Sequence, residues 1–287
     1  MTKTLALCLA LALLPLSIGC VDKGDKEDCI GLNCPTGFQW PDGGEVRLWY
    51  IGLPDGSELR RFITYFQTGP NDLLPEPGVG LCAPDITGAQ IAGREYIDAG
   101  ESVTYSLNGE QIVVDRLTAQ GDEQVEDFFE RFHDIVYMAQ LDTPVPDSFF
   151  SAKSSVTLAD PQPFSDKLTG LYMPPKLNVL EPTTAFVELK KGQDVLFRWE
   201  EVEPPDPTVV TGAAIVFVPD DLSQPTACIS ANSGEFVVPG EVIDSFSDDS
   251  GIMLIGTAAN EAVLTDDGRM IQQWGINCAL RPWTRVN

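Results

Sequence analysis

Three kinds of side chain in this sequence could do chemistry: seven cysteines, one histidine and three pairs of adjacent aspartates. A Ser-His-Asp relay would have to use His133, and no Gly-x-Ser-x-Gly elbow stands in the chain to supply its serine. No P-loop, no His-Glu-x-x-His and no dinucleotide-binding glycine fingerprint is present either. Asp220-Asp221, Asp248-Asp249 and Asp266-Asp267 offer the hard oxygens that Ca²⁺ takes, but none follows the spaced pattern of an EF-hand loop. Aspartate is also the ordinary residue of turns, so these pairs are expected to be structural. No catalytic residue, metal ligand or cofactor is assigned. Two alternatives stay open: a calcium-dependent adhesin, and a secreted hydrolase with a carboxylate pair in a cleft between domains, since such pairs are set by separation in space.

The cysteines are Cys8, Cys20, Cys29, Cys34, Cys82, Cys228 and Cys278. Cys228 and Cys278 are the only pair in the last third of the chain and are expected to form a disulfide. It would close a loop of about fifty residues, worth roughly 4 kcal/mol by chain entropy. Cys29 is expected to bond to Cys34 within the entry segment, which leaves Cys82 free or paired between molecules. A zinc site is disfavoured, because His133 is remote from any close cysteine pair.

Cys20 stands apart from the others. Lys3 gives a positive start, Leu5 to Leu16 form a nearly unbroken apolar run, and Gly19 precedes the cysteine, which is the layout of an export signal. The run is shorter than the roughly 20 residues a bilayer-spanning helix needs. Ser17-Ile18-Gly19-Cys20 resembles the lipobox of bacterial lipoproteins, with Ser17 where that family usually has leucine. The resemblance implies cleavage before Cys20 and acylation of its thiol and new amino group, and multiple acyl chains make a durable anchor. Val21 stands where an aspartate would favour inner-membrane retention in that family, so an outer-membrane destination is expected. Residues 1–19 then read as the signal, and 20–36 as the lipidated cysteine and a hydrated, flexible tether.

Charge narrows the partners. With 43 acidic residues against 18 basic ones the formal net charge is −25, a field that repels phosphate backbones. Nucleic acid is therefore excluded as a partner. The membrane, through the lipid anchor, and a protein or glycan are expected instead.

The elements that must position these residues read as strands. Val46 to Ile51, closed by Pro54-Asp55-Gly56, and Leu59 to Gln67 are two of them. Residues 103–107 and 110–114 flank Asn108-Gly109, a pair that tolerates the positive φ angles of a two-residue hairpin turn. That turn would set Leu107 opposite Glu110, Tyr105 opposite Ile112 and Val103 opposite Val114. Asp122 to Phe132 is the one good helix candidate, with Val125, Phe128, Phe129 and Phe132 on one face. His133 would sit at its end. Glu241 to Phe246 is a candidate for a short helical turn.

Prolines between Pro174 and Pro182 mark a boundary between an N-terminal β-rich domain, 37–175, and a second domain, 176–287. Beyond it, short strand candidates recur about every ten residues: 185–189, 195–199, 213–218, 227–230, 235–238, 252–257, 262–265 and 270–274. Asp266-Asp267-Gly268 joins the last two as a hairpin. Asp194-Val195-Leu196-Phe197-Arg198-Trp199 resembles the second strand of fibronectin type III and related immunoglobulin-like domains. Phe236-Val237-Val238-Pro239 and the late hairpin resemble the C-terminal sandwich of uncharacterised secreted lipoproteins of Gram-negative bacteria. Both resemblances imply a display or binding scaffold and carry over no catalytic residue. The expected fold is mainly β, two antiparallel sandwich-like domains with one short helix in the first, in a lipid-anchored envelope protein that binds or supports rather than catalyses.

Overall fold

The structure, a computed structural model, describes residues 39–40, 43–68, 71–72, 80–83, 95–107, 109–116, 135–141, 152–154, 156–158, 171–175, 177–201, 210–221, 225–231, 233–264 and 270–287. Before the proline-marked boundary lie β1 (Gln39–Trp40), β2 (Gly43–Gly52), β3 (Glu58–Thr68), β4 (Asn71–Asp72), β5 (Leu81–Ala83), β6 (Glu95–Tyr96), β7 (Ser102–Leu107), β8 (Glu110–Arg116), β9 (Tyr137–Gln140), β10 (Ala152–Ser154), β11 (Val156–Leu158) and β12 (Leu171–Met173). After it follow β13 (Val179–Glu181), β14 (Val187–Lys190), β15 (Val195–Trp199), β16 (Val210–Pro219), β17 (Thr226–Ala231), β18 (Glu235–Val238), helix α1 (Gly240–Asp244), β19 (Ser250–Leu264) and β20 (Met270–Val286). The mainly β class expected from the sequence is what the chain adopts. The expected helix over 122–132 and His133 fall outside the described residues, and the helical turn expected near residue 241 is α1.

Most strands join one sheet, in the order β11-β7-β8-β9-β3-β2-β20-β19-β16-β17-β5, with β14 also on β20 and β6 also on β3. Segments from both sides of the expected boundary thus share a sheet. At its centre β19 and β20 form one long hairpin, paired from Leu264 opposite Met270 to Ser250 opposite Thr284. The other edge of β20 takes β2 in parallel up to Gly52 opposite Ala279, and then β14 in parallel from Val187 opposite Trp283. Pro282, which has no N–H to give, falls in the gap between those two partners. The separate strands expected at 252–257 and 262–265 are therefore one. Gly256, which reads as a break in the sequence, is there because a Cβ would collide with the Asn277 carbonyl and with Cys278 on β20. Gly275 serves the same end on the outer side, where the Tyr172 carbonyl of β12 occupies the space a Cβ would need.

The β7–β8 hairpin has the expected register, Val103 opposite Val114 and Tyr105 opposite Ile112. Gly109 takes a φ of 85°, the left-handed region that glycine enters at little cost. Val103, Tyr105 and Val114 point inward with Leu48, Phe62, Phe66 and Tyr137 to form one core. There the Tyr105 and Thr64 hydroxyls lie 2.8 Å apart, and burial raises the Tyr105 hydroxyl above its ordinary pKa.

The C-terminal half has two layers. Sheet β13-β15-β18 lies over the main sheet, and Phe197, Trp199 and Val238 from it pack with Ile215, Phe217, Met253, Ile255 and Trp283. Along β16, Ala213, Ile215 and Phe217 face this core, while Ala214, Val216 and Val218 are buried on the opposite face. Strands buried on both faces read as continuous apolar runs, as β16 does.

Candidate functional site

Of the residues singled out for chemistry, Cys20, Cys29, Cys34, His133, Asp266 and Asp267 lie outside the described residues. The disulfide expected between Cys228 and Cys278 is corrected: Cys228 bonds to Cys82, from which it is separated by 146 residues in sequence. The reason is sheet order. Cys228 stands opposite Cys82 on β5 and opposite Ile215 on β16, whereas Cys278 lies on β20, with β16 and β19 between. Three strand spacings are about 14 Å, beyond the roughly 7 Å between Cα atoms that a disulfide tolerates. Cys82, expected to be free or paired between molecules, is thus the partner of Cys228. Cys278 is buried on the other face of the sheet, its thiol donating to the Tyr50 carbonyl at 3.6 Å.

The aspartate pairs are held by their own surroundings. Ser250 donates to Asp220 at 2.6 Å and Ser247 to Asp221 at 3.0 Å, while the Asp248 carboxylate accepts the Asp249 N–H at 2.7 Å. The Arg285 guanidinium donates to Asp249 at 2.7 Å and to the carbonyls of Ile243 and Phe246 around the end of α1. That hydrogen bond is the main cause holding the Asp249 carboxyl below the usual carboxylate range. Among the described residues, no group of three or more His, Cys, Asp or Glu side chains is placed to hold a metal ion.

A different constellation emerges on the face of the main sheet that carries Cys278. Alternation along β2 sends Glu45, Arg47, Trp49 and Ile51 to this face, and Val46, Leu48 and Tyr50 to the other. Arg47 stands beside Trp274 of β20, and Trp274 stands beside Asn260 of β19. One step along the same strands, Trp49 is flanked by Arg61 of β3 and Ile276 of β20. These five residues, Arg47, Trp49, Arg61, Asn260 and Trp274, are each no more than 4% exposed.

Their polar atoms fare unequally. The Arg47 guanidinium donates to Glu45 at 2.6 Å and lies 5.7 Å from the centre of the Tyr65 ring. Burial opposes its charge, but Glu45 and Tyr65 outweigh that and raise its pKa above the ordinary value. By contrast, the indole nitrogens of Trp49 and Trp274, and both amide atoms of Asn260, are buried without a hydrogen-bond partner. Each unmet buried donor or acceptor costs about 1–3 kcal/mol.

Beside this polar row lies a hollow with apolar walls: Trp49, Val216, Leu254 and Ile276, over a floor of small residues, Ala214, Gly256 and Ala258. Its volume is about 10 Å³, room for about one water, and Cys278 is among the residues that line it. Ala258 and Ile276 are two residues from Asn260 and Trp274 on the same strands, so hollow and polar row adjoin at about 7 Å. The sequence does carry a trace of this. Glu45 and Arg47 alternating with Val46 and Leu48 read as a solvent-facing edge, and only the partner strands reveal that face to be buried.

No family model matches the chain, and no curated protein matches it. Among solved structures, the FN1-FN3 domains of chicken CNTN1 align over 87% of this chain and 68% of theirs, with 8% identity and a TM-score of 0.21. A bacterial ice-binding adhesin concerned with host cell surface retention aligns over 86% of this chain and 65% of its own, with 10% identity and a TM-score of 0.18. At those scores the likeness carries nothing about how this chain's strands are arranged or what it binds.

Proposed function

We propose that this chain is a lipid-anchored protein of the bacterial cell envelope that acts as a binding module rather than an enzyme. The observation that carries the reading is Ser17-Ile18-Gly19-Cys20, set behind the apolar run Leu5 to Leu16 and followed by the charged segment Asp22 to Asp28. Acylation of Cys20 would fasten the chain to a membrane, with Val21 favouring the outer one, and the polar segment would hold the β structure clear of the surface. The fold supports a scaffold role in a general way: a broad sheet buried on both faces presents rigid positions for recognition. A protein or glycan of the envelope or its surroundings is the expected partner.

The anchor is tested by growing expressing cells with an alkyne-tagged fatty acid. Label is expected on the wild type and lost in Cys20→Ala. Label that persists in Cys20→Ala overturns the anchor.

A further inference from the structure

We infer that the open edge of β18, with the outer face beside it, docks an extended basic segment of a partner protein by strand addition. The inference rests on the reading of the chain as a binding module, though not on the Cys20 anchor. Strand β18 ends the sheet β13-β15-β18, and among the described residues it pairs with β15 alone. A strand in that position offers its unpaired N–H and C=O groups as a template for another strand.

Pairing with β15 decides which backbone groups are open. The Trp199 N–H donates to the Gly234 carbonyl at 2.9 Å, and bonded and non-bonded pairs alternate along an antiparallel ladder. Phe236 and Val238 therefore turn their backbone groups toward Phe197 and Val195, while Glu235 and Val237 turn theirs away from β15. Among the described residues the Glu235 carbonyl is met by the Ser233 hydroxyl at 3.4 Å, and no strand pairs with Val237 on that side.

The side chains say what kind of strand fits. Phe197 and Val238 point into the core, so Leu196 and Val237, opposite each other in register, lie on the outer face. Val237 is 47% exposed, and Leu180 on β13 is 44% exposed. Arg198, the cation on this face, is engaged by Glu181 at 3.6 Å and Glu235 at 3.3 Å, which leaves the group with a net negative charge. Glu200, Glu201 and Glu241 are exposed close by in sequence.

Charge chooses the occupant. A second copy would bring a further −25 to an acidic edge, and like charges repel. A strand that alternates lysine or arginine with apolar residues meets both sides of β18. Its cations, on the outer side, lie beside Glu235 and lay their alkyl stems against Val237. Its apolar residues, on the inner side, extend the core over the half-buried Phe236.

The test uses the full chain in phosphatidylcholine nanodiscs, with valine labelled by ¹⁵N and signals assigned by Val→Ile substitution. The probes are the capped peptide Lys-Val-Lys-Val-Lys-Val and its counterpart with glutamate in place of lysine. The lysine peptide is expected to shift the Val237 amide downfield and slow its exchange with solvent. Val113, equally open on the β7–β8 hairpin, should stay in place, and the glutamate peptide should have no effect. Val237→Pro removes the outward N–H at an edge where proline is tolerated, and should weaken binding about tenfold. Glu235→Lys keeps the backbone intact and should weaken it about threefold, as expected for one exposed charge.

The proposal is overturned if the lysine peptide leaves the Val237 signal in place, if the glutamate peptide acts equally, or if Val113 moves as much as Val237. It is also overturned if Glu235→Lys binds as tightly as the wild type. A Val237 shift that appears on concentrating the protein without peptide would assign the edge to a second copy, and overturns it too. Failure of the Cys20 labelling experiment leaves these outcomes untouched, so the two readings fall separately.

Discussion

The two faces of the main sheet solve the same burial problem differently. On the face covered by β13-β15-β18, rings fill the space: Phe217 packs against Phe246 at 4.9 Å and against Trp283 edge-on at 6.3 Å, and the Trp283 N–H has its carbonyl. On the opposite face, at the same depth, Trp49, Trp274 and Asn260 leave polar atoms unmet beside a hollow. Both faces come from the same strands, so the difference cannot lie in strand propensity. One face is filled by packed rings, and the other leaves two neighbouring indoles and an amide without partners.

The largest expected effect tests the packed face. Phe217→Ala removes a ring that touches Phe197, Phe246 and Trp283, and should cost about 3–5 kcal/mol in urea unfolding. A loss below about 1 kcal/mol would mean that this core is not as tightly packed as the ring contacts imply. Next comes the bridge that ties β5 to β17. Replacing Cys82 and Cys228 together by serine should cost about 2–5 kcal/mol relative to the oxidised wild type, while peptide mapping without reductant should recover Cys82 joined to Cys228 and not to Cys278.

The comparison is sharpest with matched tryptophan variants. Trp283→Phe leaves the Ile252 carbonyl without its donor and should cost about 1–3 kcal/mol, whereas Trp274→Phe removes a donor that has no acceptor and should change stability by no more than about 0.5 kcal/mol. Equal losses at both positions would erase the distinction between the faces. Asn260→Leu should go the other way and stabilise the protein by about 1 kcal/mol, since an unmet buried amide is replaced by an apolar group of similar shape.

The smallest effect is electrostatic. Asp249 has a depressed pKa in the folded chain, chiefly through the hydrogen bond from Arg285. Its contribution is therefore fully present above the unfolded value of about 4 and is lost as pH falls below it, through the folded pKa. Asp98 behaves alike, held down first by the Gly100 N–H and also by Arg116. Asp249→Asn should flatten part of the acid limb of stability against pH and leave the neutral plateau almost unchanged, as an exposed pair contributes little.

Legibility in the sequence followed the range of the interactions. The β7–β8 hairpin was readable to its register, because Asn108-Gly109 and the alternation of Val103, Tyr105, Ile112 and Val114 act over a dozen residues. The tendency of 252–257 to form strand was readable too, but its continuation through Asn260 was not, because Gly256 and the small residues after it are explained only by the close approach of β20. The Cys228 partner could not be read at all. Proximity in sequence favoured Cys278, while the order β20-β19-β16-β17-β5 placed Cys82 alongside.

By itself, then, the sequence determined the β class, the alternation that sorts each strand into two faces, the local turns, the acidic charge and the apolar run ahead of Cys20. These are properties of short stretches or of totals, and composition and periodicity suffice for them. Only the tertiary structure decided which faces are buried, which cysteines meet, and that Arg47, Trp274 and Asn260 stand in one row. Those three residues are separated by long stretches of chain, and what brings them together is the pairing of β2, β20 and β19, a choice of partners that no single strand encodes.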